Sequence, residues 1–419
     1  MKHKIVVTGI GAVTPLGIGV DAYWNNLIAG KSGIVPISRF DASSLPVQIA
    51  GEVPDFNPED FMTRKQVKEM ELFMQFGYAS AQEAMTDAGL TEDPEGNLPI
   101  PKERIGVVLG NVFAGIIDIA GTQDKFSTGN ASRVNPRFIT RIIGNIAAAQ
   151  IAISKGLKGP SLTVSTACSS GIDAISTGIM LIEQDLADAV ICVGAEAATC
   201  PLTILGLSSI HALSRNNEHP TEASRPFDLA RDGFVMAEGS GTVIIEKEES
   251  ALRRDARIRC TVAGYANSTD GYHVTSPHPE GIAAVFCMKQ ALAVAGLPLT
   301  SVDYINAHGT STPKGDVIEV NAIKTLFGEH AGKLAVSSTK SSTGHLMGAG
   351  GVTETIACIK ALEEDILPPT INQTTPDPEC DLDFVPNVAR KAPVNVAMCN
   401  AFGFGGQNAS LLLTRYSKE

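Results

Sequence analysis

The sequence predicts an α/β protein with a duplicated core, and three observations carry that expectation. Short β-branched runs alternate along the chain with longer helical patterns. "LTVSTACSSG" from Leu162 aligns without a gap on "LAVSSTKSSTG" from Leu334, so that Val164 meets Val336, Ser165 meets Ser337 and Cys168 meets Lys340. Hydrophobic residues make up 44% of the 419, enough to bury a large core.

In chain order the candidate strands are "KIVVTGI" from Lys4, "RIGVVLG" from Arg104, "SLTVST" from Ser161, "DAVICVGA" from Asp188 and "GTVIIEKE" from Gly241. "RCTVAGYAN" from Arg259, "VDYINAHG" from Val302, "KLAVSST" from Lys333 and "VAMCNAFG" from Val396 follow. A helical pattern succeeds each copy of the repeat, with Ile172, Ile175, Ile179 and Ile182 in one and Val352, Ile356 and Ile359 in the other. Strands alternating with helices imply largely parallel sheets, covered on both faces. Each half is then a strand–turn–helix unit, and a cleft forms where the two turns face each other. The polar run "EKEESALRRDAR" separates an N-terminal half, 1–255, from a C-terminal half, 256–419.

Composition excludes several classes. A formal charge of −12 argues against nonspecific nucleic-acid binding. No stretch approaches the roughly 20 apolar residues that span a membrane, and glycines and a proline interrupt the N-terminal apolar run. The eight cysteines are scattered without a CxxC pair, which favours reduced thiols and a cytoplasmic location. "GIGAVTPLG" places Thr14 where a dinucleotide fingerprint needs its third glycine, so a nucleotide cofactor is not expected.

Cys168 follows a strand and opens a helix, where unpaired amides and the helix dipole favour a thiolate. Ala167, Ser169, Ser170 and Gly171 are too small to cover the sulfur, which points to an accessible nucleophile rather than a packed spectator. His308 stands at the end of a β run, and His345 directly after the turn that repeats the cysteine turn. A Cys/His/His set could suggest zinc, but no short-range ligand pair supports a metal. In "NAFGFGGQNA", Gly403, Gly405 and Gly406 around Phe404 permit close backbone approach and N–H groups aimed at an oxyanion.

"VSTACSSG", "NAHGTSTPKGD", "SSTKSSTGHLMGAGG" and "NAFGFGGQNA", in this order, resemble the β-ketoacyl-acyl-carrier-protein synthases, most of all the elongating type II (KAS II) enzymes of fatty-acid synthesis. The likeness runs from "VVTGIGAVTPLG" to "GFGGQNASLLL", essentially the whole chain. It implies the thiolase-like fold, two duplicated halves in an αβαβα sandwich, and a homodimer. Carried over by motif, the nucleophile is Cys168, the histidines His308 and His345, the lysine Lys340, and the gating loop Gly403 to Gly406. Supporting acids fall on Asp270 and Glu354, and contacts to the phosphopantetheine arm on Thr310 and Thr312. Substrates arrive on an acyl carrier protein, with no cofactor of the enzyme's own.

In that chemistry Cys168 takes up the acyl group, malonyl-carrier protein loses CO₂, and the carbanion attacks the stored acyl group, adding two carbons. The carrier is acidic, so this acidic enzyme needs a local basic entrance, for which Arg64, Lys65, Lys68, Arg133, Arg137 and Arg215 are candidates. Glu69 stands where the family often has another base. Phe113 aligns with an acyl-pocket position that commonly carries a smaller aliphatic side chain. With Arg137, Arg141, Ser169, Asp173 and Gln407 it departs from the usual pattern, which leaves open a specialised polyketide or polyene ketosynthase. A Cys-His hydrolase and a non-catalytic chain-length partner are the remaining alternatives.

Overall fold

A computed structural model describes residues 1–418; Glu419, the last residue of the predicted C-terminal half, lies outside the described residues. Ten strands carry the architecture. In the first half they are β1 (Ile5–Thr14), β2 (Ile105–Gly110), β3 (Ser161–Val164), β4 (Ala189–Glu196) and β5 (Gly239–Lys247). In the second half they are β6 (Cys260–Thr269), β7 (Tyr304–Asn306), β8 (Ala335–Ser337), β9 (Val396–Gly403) and β10 (Gln407–Arg415). The first set is ordered β3-β2-β4-β5-β1 and the second β8-β7-β9-β10-β6. One order repeats, and so do the directions: three parallel strands, then two antiparallel ones.

The sheets are therefore mixed, not largely parallel as expected. β5 returns antiparallel beside β4, and β10 beside β9, and no sequence periodicity announces a strand's direction. All nine expected strands are present. β10 is additional to them: "QNASLLLTR" is rich in leucine and poor in the β-branched residues that mark strands. The two sheets meet where Ile5, Val6 and Val7 of β1 pair antiparallel with Val262, Thr261 and Cys260 of β6.

Helices make this a five-layered sandwich. α1 (Leu72–Asp87) and α2 (Asn145–Lys155) cover the outer face of the first sheet. α3 (Ser170–Glu183) and α6 (Gly350–Glu364) lie between the sheets, while α4 (Ile282–Ala295) and α5 (Pro313–Phe327) cover the outer face of the second. The periodic residues Ile172, Ile175, Ile179, Ile182, Val352, Ile356 and Ile359 all sit in the central core, each fully buried. The N-termini of α3 and α6 meet there backbone to backbone. A Cβ on Gly171 would lie 2.8 Å from the Val352 nitrogen, and one on Gly351 2.8 Å from the Ile172 nitrogen, so neither position admits a side chain. No helix of the described residues is long and apolar enough to cross a membrane.

Candidate active site

β3 ends at Val164 and α3 starts at Ser170, leaving a short turn to carry Cys168. Ala167 adopts a left-handed backbone, φ 51°. The Ser170 hydroxyl accepts the Thr166 N–H at 2.9 Å and donates to the Ala167 carbonyl at 2.6 Å, closing the turn on itself. Cys168 is only 7% exposed, at the floor of a cavity of about 440 Å³. The small flanking residues do not leave the sulfur in the open; they let the cavity reach down to it.

Burial pushes the Cys168 thiol up to about 11. The N–H groups of Phe404 and of Cys168 itself, with the Lys340 charge, pull the other way without prevailing. The expected stabilised thiolate is thus corrected. Desolvation outweighs the helix end, and the sulfur rests as a thiol. Two backbone amides, those of Cys168 and Phe404, thus act on the one sulfur.

The histidines converge on the same place. One atom each from Cys168, His308 and His345 lie within 4.8 Å of one another. The two imidazoles meet edge to face, with centroids 5.4 Å apart, and Phe234 presses on His345 in the same manner at 5.3 Å. Desolvation first, and then the Lys340 charge, hold both well below the usual histidine range, so both are neutral at physiological pH. Both ring nitrogens of buried His345, and Nδ1 of His308, have no hydrogen-bond partner in the protein.

Lys340 aligns with Cys168 in the repeat but is 2% exposed, and it forms an ion pair with buried Glu354 one turn into α6. Desolvation raises the Glu354 carboxyl while Lys340 lowers it. The Lys340 charge reaches Cys168, His308 and His345 alike.

The glycine loop packs directly onto the cysteine turn. A Cβ on Gly403 would lie 2.9 Å from the Thr166 carbonyl and 3.0 Å from the Cys168 nitrogen. Gly405 and Gly406 take left-handed conformations, φ 82° and 71°. Asp270 braces this loop: its N–H donates to the Gly406 carbonyl at 2.8 Å, and its carboxylate accepts from Asn408 at 2.8 Å. Thr310 and Thr312 line the cavity, with their hydroxyls 3.1 Å apart.

Phe113 stands elsewhere. It does not line this cavity; it packs in an apolar cluster with Phe404, Phe234 and Met347, which do. Arg64, Lys65, Lys68, Arg133, Arg137 and Arg215 are all exposed. Arg64 pairs with Glu59 at 3.1 Å. Arg141 is taken up internally, pairing with Asp118 and donating to the Lys68 and Met70 carbonyls, so it joins the Lys68 helix to the Arg137 segment. No hydrogen bond or ion pair among the described residues ties Arg215 to that group; its backbone N–H donates to Asp232 at 3.0 Å.

Sequence reasoning missed the supports. Glu319 on α5 accepts the backbone N–H groups of His308 at 2.8 Å and Gly309 at 2.7 Å, which fixes the histidine loop. Arg231 donates to the Thr312 carbonyl at 3.1 Å and the Pro313 carbonyl at 2.9 Å, holding the threonine loop. Neither partner can be read from local sequence, because each contact crosses between elements.

Comparison with known proteins gives one consistent match. A family profile described as "Beta-ketoacyl synthase, N-terminal domain" matches residues 2–251, and one described as "Beta-ketoacyl synthase, C-terminal domain" matches residues 259–374. The 3-oxoacyl-[acyl-carrier-protein] synthase 2 of Coxiella burnetii is 46% identical over 99% of each chain. A β-ketoacyl synthase from Burkholderia phymatum superposes with a TM-score of 0.91 at 31% identity, over 99% of this chain and 100% of that one. A chain from the complex of a type II polyketide acyl-carrier protein with its ketosynthase, bound to a hexaketide, superposes at 0.90 with 32% identity, over 99% and 100%.

Proposed function

The chain belongs to the β-ketoacyl synthase family, and from that premise we propose that it condenses an acyl group held on Cys168 with malonyl-acyl carrier protein, extending the chain by two carbons in fatty-acid synthesis. The observation that carries this reading is the convergence of Cys168, His308 and His345 within 4.8 Å, with the Cys168 and Phe404 amides acting on the sulfur.

Cys168 rests protonated, so its proton must leave as the sulfur attacks the acyl thioester. A neutral imidazole of the pair accepts it and returns it to the departing carrier thiol. The tetrahedral oxyanion rests on the Cys168 and Phe404 N–H groups, a contribution of roughly 3–4 kcal/mol where such donors have been removed. Malonyl-carrier protein then breaks its bond to the carboxylate, releasing CO₂. His308 and His345, neutral N–H donors in a desolvated site, hold the enolate at the thioester oxygen. The enolate carbon attacks the acyl carbonyl and the C–S bond to Cys168 breaks, leaving a 3-oxoacyl-carrier protein and a Cys168 thiolate that takes a proton from solvent to restore the resting thiol. Lys340 and Glu354 order the histidine loop, and Thr310 and Thr312 receive the phosphopantetheine arm.

The exposed bases around Lys68 suit an acidic carrier. Strand β3, an exposed edge flanked in the chain by exposed Ile139, Ile143 and Ile153, suits self-association into a homodimer. Division into halves at 255/256 follows the repeated strand order, and eight buried thiols accord with a cytoplasmic setting. The specialised polyketide reading rests on Phe113 and the 32% match; the 46% match favours fatty-acid elongation.

The test is incubation of the purified protein with acyl- and malonyl-carrier proteins. It should release CO₂ and a 3-oxoacyl product, with an acyl adduct on Cys168. Cys168→Ser should lose the adduct and slow condensation by on the order of 10⁴-fold. Release of free acid instead indicates a hydrolase, and failure to load any acyl group a chain-length partner; either result overturns the proposal.

A further inference from the structure

No step above uses Asp173, yet its carboxylate is among the most heavily bonded near the site. It stands at the fourth residue of α3. Oδ2 accepts hydrogen bonds from the hydroxyls of Thr166 and of Ser169, the latter at 3.0 Å, and these two residues bracket Cys168. The Ser169 hydroxyl also donates to the Thr166 carbonyl at 2.8 Å. Oδ1 accepts from the amide of Asn267, 94 residues away on β6 in the other half.

That partner matters because of where β6 leads. Three residues on, Asp270 holds the Gly406 carbonyl and Asn408, the C-terminal root of the glycine loop. Asn267 itself is in register with Ala409 of β10, just beyond that root. One amide acting on the sulfur, that of Cys168, therefore belongs to a turn bonded to Asp173. The other, that of Phe404, belongs to a loop rooted on the strand that Asp173 also grips. A single half-buried carboxylate bridges the turn that carries one of these amides to the strand that roots the other.

We propose that Asp173 is a positioning residue for acyl transfer: by joining the Cys168 turn to Asn267, it holds the Cys168 and Phe404 amides at the spacing an oxyanion requires. The inference rests on the function proposed above. It also makes a distinction a general structural role would not. Acylation of Cys168 uses the amide pair, whereas malonyl decarboxylation leans on His308 and His345, so loosening the amides should slow the first and spare the second.

The experiment compares wild type, Asp173→Ala, Asp173→Asn, Asn267→Ala and the double variant Asp173→Ala/Asn267→Ala. Single-turnover acylation by acyl-carrier protein and decarboxylation of malonyl-carrier protein are measured separately. Asp173→Ala should slow acylation by about 10- to 100-fold, the scale on which a small misplacement of reacting groups acts, and change decarboxylation by less than about twofold. Asp173→Asn, whose amide oxygen still accepts from the hydroxyls and whose NH₂ donates to the Asn267 oxygen once that side-chain amide turns over, should recover most of the rate. The double variant should be no slower than Asp173→Ala, because both substitutions break one bridge. Equal losses in both reactions, unchanged acylation, or losses that multiply in the double variant would overturn the inference. Should Asp173→Ala fail to fold, Asn267→Ala carries the same test, with selective loss of acylation supporting the bridge and any other pattern removing it. A wild type that never acylates Cys168 defeats the proposed function instead, so the two failures are distinguishable.

Discussion

The turn at Cys168 and the turn at Lys340 follow one strand–turn–helix path, and they differ in what covers them. β3 forms an edge whose residues are exposed or half-buried, and its turn opens onto the cavity. β8 is an edge of equal rank, but the Val336 N–H donates to the Asp383 carbonyl and every residue from Ala335 to Thr343 is buried. Burial then dictates chemistry. The open turn carries a small neutral thiol; the closed one carries a cation, tolerable there only with Glu354 as partner. An acid early in the next helix reaches back to the turn in both halves, Asp173 to hydroxyls in one and Glu354 to an ammonium in the other. Duplication supplied the frame, and unequal covering separated the roles.

The largest effect should come from exchanging those burdens. Lys340→Ala leaves Glu354 buried without its cation, at a cost of about 3–5 kcal/mol. Cys168→Ala removes one small group at the floor of a cavity, and stability should fall by about 1 kcal/mol or less. Denaturant unfolding of both variants checks the contrast. Lys340→Met/Glu354→Leu should be much milder than Lys340→Ala, since it removes both charges together. Equal losses for the two alanine variants would break the comparison.

A smaller effect sharpens the account of the open turn. The thiol lies near 11 because burial outweighs the amides and the Lys340 charge. Below that value the thiolate fraction rises tenfold per pH unit. The iodoacetamide alkylation rate of Cys168, followed by peptide mass spectrometry, should therefore climb steadily from pH 7 to 10. A plateau below pH 9 would mean that the helix end prevails after all.

Much of this was legible in the chain itself. The repeat placed Cys168 opposite Lys340, the isoleucine periodicity located the two central helices, and the motifs gathered Cys168, His308, His345 and the glycine loop. Hidden features have a common cause: each depends on a partner in another element. The antiparallel return of β5 and β10 is one, and the grip of Glu319 on the His308 loop another. So is the bond from Asp173 to Asn267, without which an acid beside the nucleophile had no meaning. The thiol's direction is hidden for the same reason, since residues of the second half as well as the first enclose Cys168.

The smallest effect concerns which half handles which substrate. Phe113 follows β2, in the half that carries the nucleophile, and shares an apolar cluster with Phe404 without lining the cavity. Truncating it should open space behind the loop on the acyl side and leave the histidine side untouched. Phe113→Ala should thus shift the acyl-length profile toward longer chains by about 1–3 kcal/mol per methylene accommodated, with malonyl decarboxylation constant. Rates across a panel of acyl-carrier lengths, set against decarboxylation of the same preparation, measure both at once. An unchanged profile would mean that neighbouring side chains already shape the end of the pocket. A parallel fall in decarboxylation would show that Phe113 supports Phe234, Met347 and through them His345, and the division of labour between the halves would then be less complete than the two turns suggest.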